Sequence, residues 1–210
     1  MSEPIRVRFT EEMKGYLGFG VEDPAEGLAA GKVDGTSFMF HLTIETDDID
    51  RFYDEPDHAG TASGWIRCDQ LGGTLPVSDG VFNLFVETGR RGQREMRYRL
   101  FFTDGVGNPL TFIGVKRVED DRGFDVWRDT STLYSSVVQG HTNTPHPQEA
   151  KVVAAGVLRI LKRDFARQLT TFRTSGPDWR ARQRAFGMFL GLFGISLFDV
   201  YIAEEGHEDA

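Results

Sequence analysis

Apolar side chains recur at every second position through long stretches of this 210-residue chain, and that period commits it to β-structure. Phe38, Phe40, Leu42 and Ile44 share one face of a run from Gly35 to Thr46, and Met96, Tyr98, Leu100 and Phe102 do the same between Glu95 and Thr103. Further strands are expected over 61–68, 74–77, 110–118, 124–127, 132–138 and 152–161. Val81 to Glu87 carries apolar groups on both faces, as a strand covered on both sides does. Gly72-Gly73, Gly89 to Gly92, Asp104 to Pro109 and Asp120 to Gly123 supply the turns, and Asp47 to Asp54 suits one helical turn. The fold class read from this pattern is mainly β, one antiparallel barrel or sandwich of lipocalin-like kind.

The chain ends differently. Trp179, Phe186, Phe189, Leu190 and Phe193 fall on one helical face, so an amphipathic helix is expected over about 178–192, inside an appendage spanning 177–203. Short strings also return about 93 residues apart. Phe9-Thr10-Glu11 is echoed by Phe102-Thr103-Asp104, Thr36-Ser37-x-Met39-Phe40 by Thr130-Ser131-x-Leu133-Tyr134, and Ala62-x-Gly64-x-Ile66-Arg67 by Ala154-x-Gly156-x-Leu158-Arg159. Their common order argues for a tandem duplication, with repeats at about 5–90 and 95–175 inside a single domain of 1–210.

Seventeen Phe residues, against eight Tyr and Trp together, offer large apolar area with no polar handle, for a core or for a greasy cavity. The net charge of −8 speaks against nucleic acid, whose binders neutralise phosphates with a basic surplus. The local exception is the strip Arg173, Arg180, Arg182 and Arg184. Cys68 is the single cysteine, which excludes an intramolecular disulfide and fits a reducing cytoplasm. The N-terminus lacks the apolar core of a signal peptide, and no run of 18 apolar residues suggests a transmembrane segment. A cytoplasmic protein is therefore expected.

No motif points to a cofactor or a metal. Gly15-Tyr16-Leu17-Gly18-Phe19-Gly20 has the wrong glycine order for a dinucleotide fingerprint, and His141 and His146 lack carboxylates at ligand spacing. The densest polar cluster is Asp125 to Tyr134. There Asp125 and Asp129 flank Trp127 on one strand face, and Asp125, Asp129 and Tyr134 are the catalytic candidates. The ligand-binding candidates are Trp127, Tyr134, Arg97, Tyr98 and His41.

Phe9-Thr10-Glu11-Glu12-Met13-Lys14-Gly15, Gly80-Val81-Phe82-Asn83-Leu84-Phe85, Met96-Arg97-Tyr98-Arg99-Leu100 and Trp127-Arg128-Asp129-Thr130-x-x-Leu133-Tyr134 together resemble the non-flavin accessory region associated with bacterial GMC-type, cholesterol-oxidase-like oxidoreductases. The resemblance implies association with sterol or lipid oxidation without oxidase activity, because the flavin-binding fingerprint is missing. The leading expectation is non-catalytic binding of a lipophilic small molecule, sterol or lipid-like. The alternatives are a protein–protein module that docks on an oxidoreductase through the C-terminal helix and the arginine strip, and a small enzyme acting on a hydrophobic substrate.

Overall fold

Eight antiparallel strands follow one another around a closed barrel in sequence order: β1 (Arg6–Phe19), β2 (Ser37–Glu45), β3 (Ala59–Cys68), β4 (Gly73–Glu87), β5 (Gln93–Thr103), β6 (Pro109–Glu119), β7 (Thr132–Gln139) and β8 (Val152–Arg159). The computed structural model describes residues 3–119, 131–143, 150–189 and 191. β1 closes the cylinder. Its residues Arg8–Tyr16 pair with β2, and its residues Lys14–Phe19 pair with β8. A short ninth strand, β9 (Arg173–Ser175), adds to the start of β1. The choice between barrel and sandwich is thus resolved in favour of the barrel, and closure leaves no long unpaired edge among β2 to β8.

Alternation explains most of the register. Val7, Phe9, Glu11, Met13 and Leu17 of β1 point inward, as do Phe38, Phe40, Leu42 and Ile44 of β2 and Met96, Tyr98, Leu100 and Phe102 of β5. The interior is filled by rings. Phe38 stacks on Phe112 at 5.2 Å between centroids, Phe82 meets Tyr98 at 5.0 Å, and Phe40 meets Tyr98 at 5.9 Å. The expected strands 74–77 and 81–87 are one strand, β4, which stays continuous through irregularities opposite Ala62 and Gly64 and again between Asn83 and Val86. At the second of these, Phe85 takes a left-handed conformation, φ 52°, that permits the strand to bend. The expected strand 124–127, with its preceding turn, lies outside the described residues.

Among the described residues, four α-helices decorate the barrel, α1 (Pro24–Asp34), α2 (Ile49–Asp54), α3 (Lys162–Thr170) and α4 (residues 179–189), and a single 3-10 turn, Asp69–Leu71, joins β3 to β4. α1 was not expected from the sequence, and its ends are nevertheless well specified. Asp23 accepts hydrogen bonds from the Ala25 and Glu26 amides at 2.8 and 2.9 Å, Pro24 opens the first turn, and Gly35 ends the helix at φ 69°. Gly27 and Gly31 seat it. A Cβ on Gly27 would lie 2.0 Å from the Ala155 carbonyl oxygen, and one on Gly31 would lie 2.4 Å from that of Leu17, so the helix backbone rests directly on β8 and β1. α4 closes one end of the barrel. Asp178 accepts from the Ala181 amide at 2.8 Å, and Phe189 packs on Phe9 and Phe172, each at 5.5 Å, while Ala185 is also buried.

Candidate binding groove on the outer wall

One strand position inside the barrel breaks the apolar pattern on each of β1 and β6. Glu11 is in phase with Phe9 and Met13, and Lys116 is in phase with Phe112, yet each is only 3% exposed. Lys116 Nζ donates to Glu11 Oε1 at 2.7 Å, Tyr98 Oη donates to Glu11 Oε2 at 2.7 Å, and the ammonium sits 5.3 Å from the Tyr98 ring centroid. Burial, then the charge of Glu11, holds the Tyr98 phenol well above its ordinary value, so it stays a donor. Tyr98 is therefore part of an internal lock. Both carboxylate oxygens of Glu11 have partners, and the surrounding rings leave this network closed to the outside.

The open chemistry lies on the other face of the same strands. Even positions of β1 and odd positions of β2 and β3 project outward, and the register sorts them into rows. Tyr134, Val157, Tyr16 and Ser37 lie side by side across β7, β8, β1 and β2. In the next row Arg159, Lys14, Met39 and Arg67 succeed one another across β8, β1, β2 and β3. Glu12, His41 and Trp65 form the third. Over Val157, Tyr16 and Ser37 of the first row and the whole of the second opens a groove of about 420 Å³, walled also by Leu28 and Lys32 of α1 and by Leu161. That volume falls within the range of small-molecule sites, roughly 300–1,000 Å³.

A chain of charged groups borders it. His41 Nδ1 lies 3.5 Å from Glu12 Oε2, Lys14 Nζ lies 2.5 Å from Glu12 Oε1, and Lys14 also donates to Asp164 Oδ2 at 3.3 Å. The hydrogen bond to Glu12 is the main cause that raises Lys14 above its ordinary value, and Asp164 adds to it against the opposing effect of burial. His41 stacks on Trp65, with centroids 5.6 Å apart. No protein-family profile, curated protein or solved structure matches this chain. The geometry of the wall itself is what carries the functional reading.

Of the residues singled out from the sequence, Tyr134 and His41 project from the same outer face, on either side of β1, but neither lines the groove. Tyr134 is 43% exposed next to Val157, and His41 lies one row from Met39. Arg97 does not join them. It faces out from β5, where its Nε donates to Glu95 at 2.9 Å. Tyr98 is locked inside, and Asp125, Trp127 and Asp129 lie outside the described residues. The arginine strip is partly engaged within the chain: Arg184 pairs with Asp50, and Arg173 donates to the carbonyls of Thr170 and Phe172. A second concavity, about 450 Å³, lies between Asp79, Phe101, His141 and Asn143. Among the described residues no three His, Cys, Asp or Glu side chains gather as a metal site, and no helix is long and apolar enough to cross a membrane.

Proposed function

We propose that this protein binds a lipophilic small molecule without transforming it, and that the ligand lies in the groove over β8, β1 and β2. The observation that carries the reading is the groove itself, a concavity of about 420 Å³ with Met39, Val157, Leu28 and Leu161 among its walls. The interior, the usual ligand chamber of an eight-stranded barrel, is occupied by the protein's own Phe38, Phe40, Phe82 and Phe112. Binding on the outer wall reconciles a full core with an accessible apolar surface. The resemblance of the β1 and β5 strings to the accessory region beside GMC-type oxidoreductases extends the reading to a carrier or presenter in sterol or lipid oxidation, in the cytoplasm. α4 offers a route to an oxidoreductase partner, since Trp179 is 57% and Phe186 40% exposed.

The test uses Nile red, a neutral lipophilic dye, followed by its fluorescence on titration with the protein. Saturable binding to the wild type, abolished by Met39→Trp with an unchanged far-UV spectrum, is the expected result. Binding that survives Met39→Trp would remove the groove as the site. Native mass spectrometry of protein purified from its own host, compared before and after organic extraction, would identify the bound compound.

A further inference from the structure

We infer that the groove holds its ligand by an acidic head group, a carboxylate or phosphate ester at the end of an apolar body. This rests on the binding reading above and adds the chemistry of the head. Four cations line the groove, Lys14, Lys32, Arg67 and Arg159, and no Asp or Glu is among the lining residues. In a chain of net charge −8 that is a local inversion of sign.

Three of the four lack a carboxylate partner among the described residues. Lys14 is balanced by Glu12 and Asp164. Arg159 and Lys32 make no ion pair with a described residue. Arg67 donates to the Thr74 hydroxyl at 3.2 Å and lies 5.4 Å from the Trp65 ring centroid, and neither contact neutralises it. The register sets Arg159 directly opposite Lys14, whose own charge is already met by Glu12 and Asp164, so that Arg159 gains no partner across the ladder. Arg67 follows in the same row, beyond Met39.

An anion placed over this row would meet the charges of Arg159 and Arg67, which no carboxylate of the described residues balances. Guanidinium groups offer forked donors that match carboxylate and phosphate oxygens. The apolar walls say where the rest of the ligand goes. Leu28, Val157 and Leu161 adjoin the cations, so the head and the chain of one amphiphile can be satisfied together.

The experiment displaces Nile red from the groove with dodecanoic acid, dodecyl phosphate, dodecanol and inorganic phosphate at low salt. The acid and the phosphate ester should act at concentrations about tenfold or more below the alcohol, as expected for one added charge-assisted hydrogen bond. Arg159→Gln, and independently Lys32→Gln on the surface of α1, should shrink that gap by weakening the acid and the phosphate ester more than the alcohol. Inorganic phosphate should compete with the acid but not with dodecanol. Equal displacement by acid and alcohol, unchanged in both variants, would overturn the head-group inference and leave lipophile binding intact. Inorganic phosphate acting as well as dodecyl phosphate would overturn it too, since the apolar body would then contribute nothing. Absence of any Nile red binding would instead refute the groove as a lipophile site.

Discussion

Replacing Lys116 by Met isolates the energetics of the internal lock. Met approximates the volume of the lysine stem, so the change removes charge and little packing. Glu11, 3% exposed, would keep only the Tyr98 hydroxyl as partner. Removing one member of a buried ion pair leaves the other charge uncompensated, and such a loss costs about 3–5 kcal/mol. The deficit of Lys116→Met relative to wild type should therefore be about 3–5 kcal/mol, whereas combining it with Glu11→Leu, which leaves no buried charge behind, should recover most of that loss. Urea unfolding followed by far-UV circular dichroism measures both variants. A deficit below about 1 kcal/mol in Lys116→Met, or one that Glu11→Leu does not reduce, would refute the reasoning.

Three further perturbations test other parts of the structure. His58 sits at φ 40° with Nδ1 buried and without a hydrogen-bond partner among the described residues, and burial pushes its imidazole below the ordinary value of 6.5. The folded state then resists a proton that the unfolded chain accepts, so stability is lost as pH falls from about 6.5 toward the folded value, and His58→Asn, which tolerates the same backbone, should flatten that slope. Identical slopes in thermal melts would exclude His58 as the cause. Gln168 is 3% exposed on α3 and neither amide atom is hydrogen-bonded to a described residue, so Gln168→Met should raise the unfolding free energy in urea, by about 1–3 kcal/mol, and a loss would show that the amide is satisfied. Gly27→Ala on α1 sets helix propensity, worth about 1 kcal/mol in its favour, against the 2.0 Å approach to the Ala155 carbonyl. Backbone cannot give way as a side-chain tip can, so a net loss of about 1–3 kcal/mol is expected, and a gain would mean that α1 does not touch β8.

How legible each element is in the sequence follows from what its buried face is made of. β2 and β5 bury Phe, Leu, Ile, Met and Tyr at alternate positions, and the period of two displays them plainly. α4 is legible as a helix from its period, but of its expected apolar face Phe189 is buried whereas Trp179 and Phe186 are exposed, and the small Ala185 takes the other buried place. β1 is hidden because Glu11 sits on its inner face, and Thr10, Glu12 and Lys14 on its outer one make the run look polar throughout. α1 is hidden because its seat is Gly27 and Gly31, which contribute close approach and no hydrophobicity. α3 buries Asp164 and Gln168 beside Phe165, so its inner face does not read as apolar. The groove draws its cations from β1, α1, β3 and β8, and only the register brings them together. One signal was available: a single charge in phase with an apolar strand face, as Glu11 is with Phe9 and Met13, and Lys116 with Leu110 and Phe112, marks a buried pair even across 105 positions.

The lock and the groove share β1, and this gives the lock a consequence beyond stability. A slip of β1 by one residue would bring Glu12 and Lys14 inside, which apolar patterning alone forbids. A slip by two is different, because Val7, Phe9, Met13 and Leu17 would still face inward; what it would break is the pairing of Glu11 with β5 and β6, and the fit of Gly15, where a Cβ would lie 2.0 Å from the Val157 carbonyl oxygen. Glu11 and Gly15 thus discriminate between registers that the hydrophobic pattern alone leaves close in energy. The same register places Lys14 between Arg159 and Met39 on the outer wall. Replacing all three partners by apolar groups, Glu11→Leu, Tyr98→Phe and Lys116→Met, removes every buried polar atom of the network together. Such replacements are commonly neutral or stabilising by about 1–4 kcal/mol, and neutral or better stability is expected here. Nile red binding should nevertheless weaken, and the β1 amides should exchange faster with deuterium, since the row under the groove is no longer held in one alignment. Retention of full affinity with unchanged exchange along 8–16 would show that the apolar residues and Gly15 suffice to set the register, and would reduce the lock to a stability element alone.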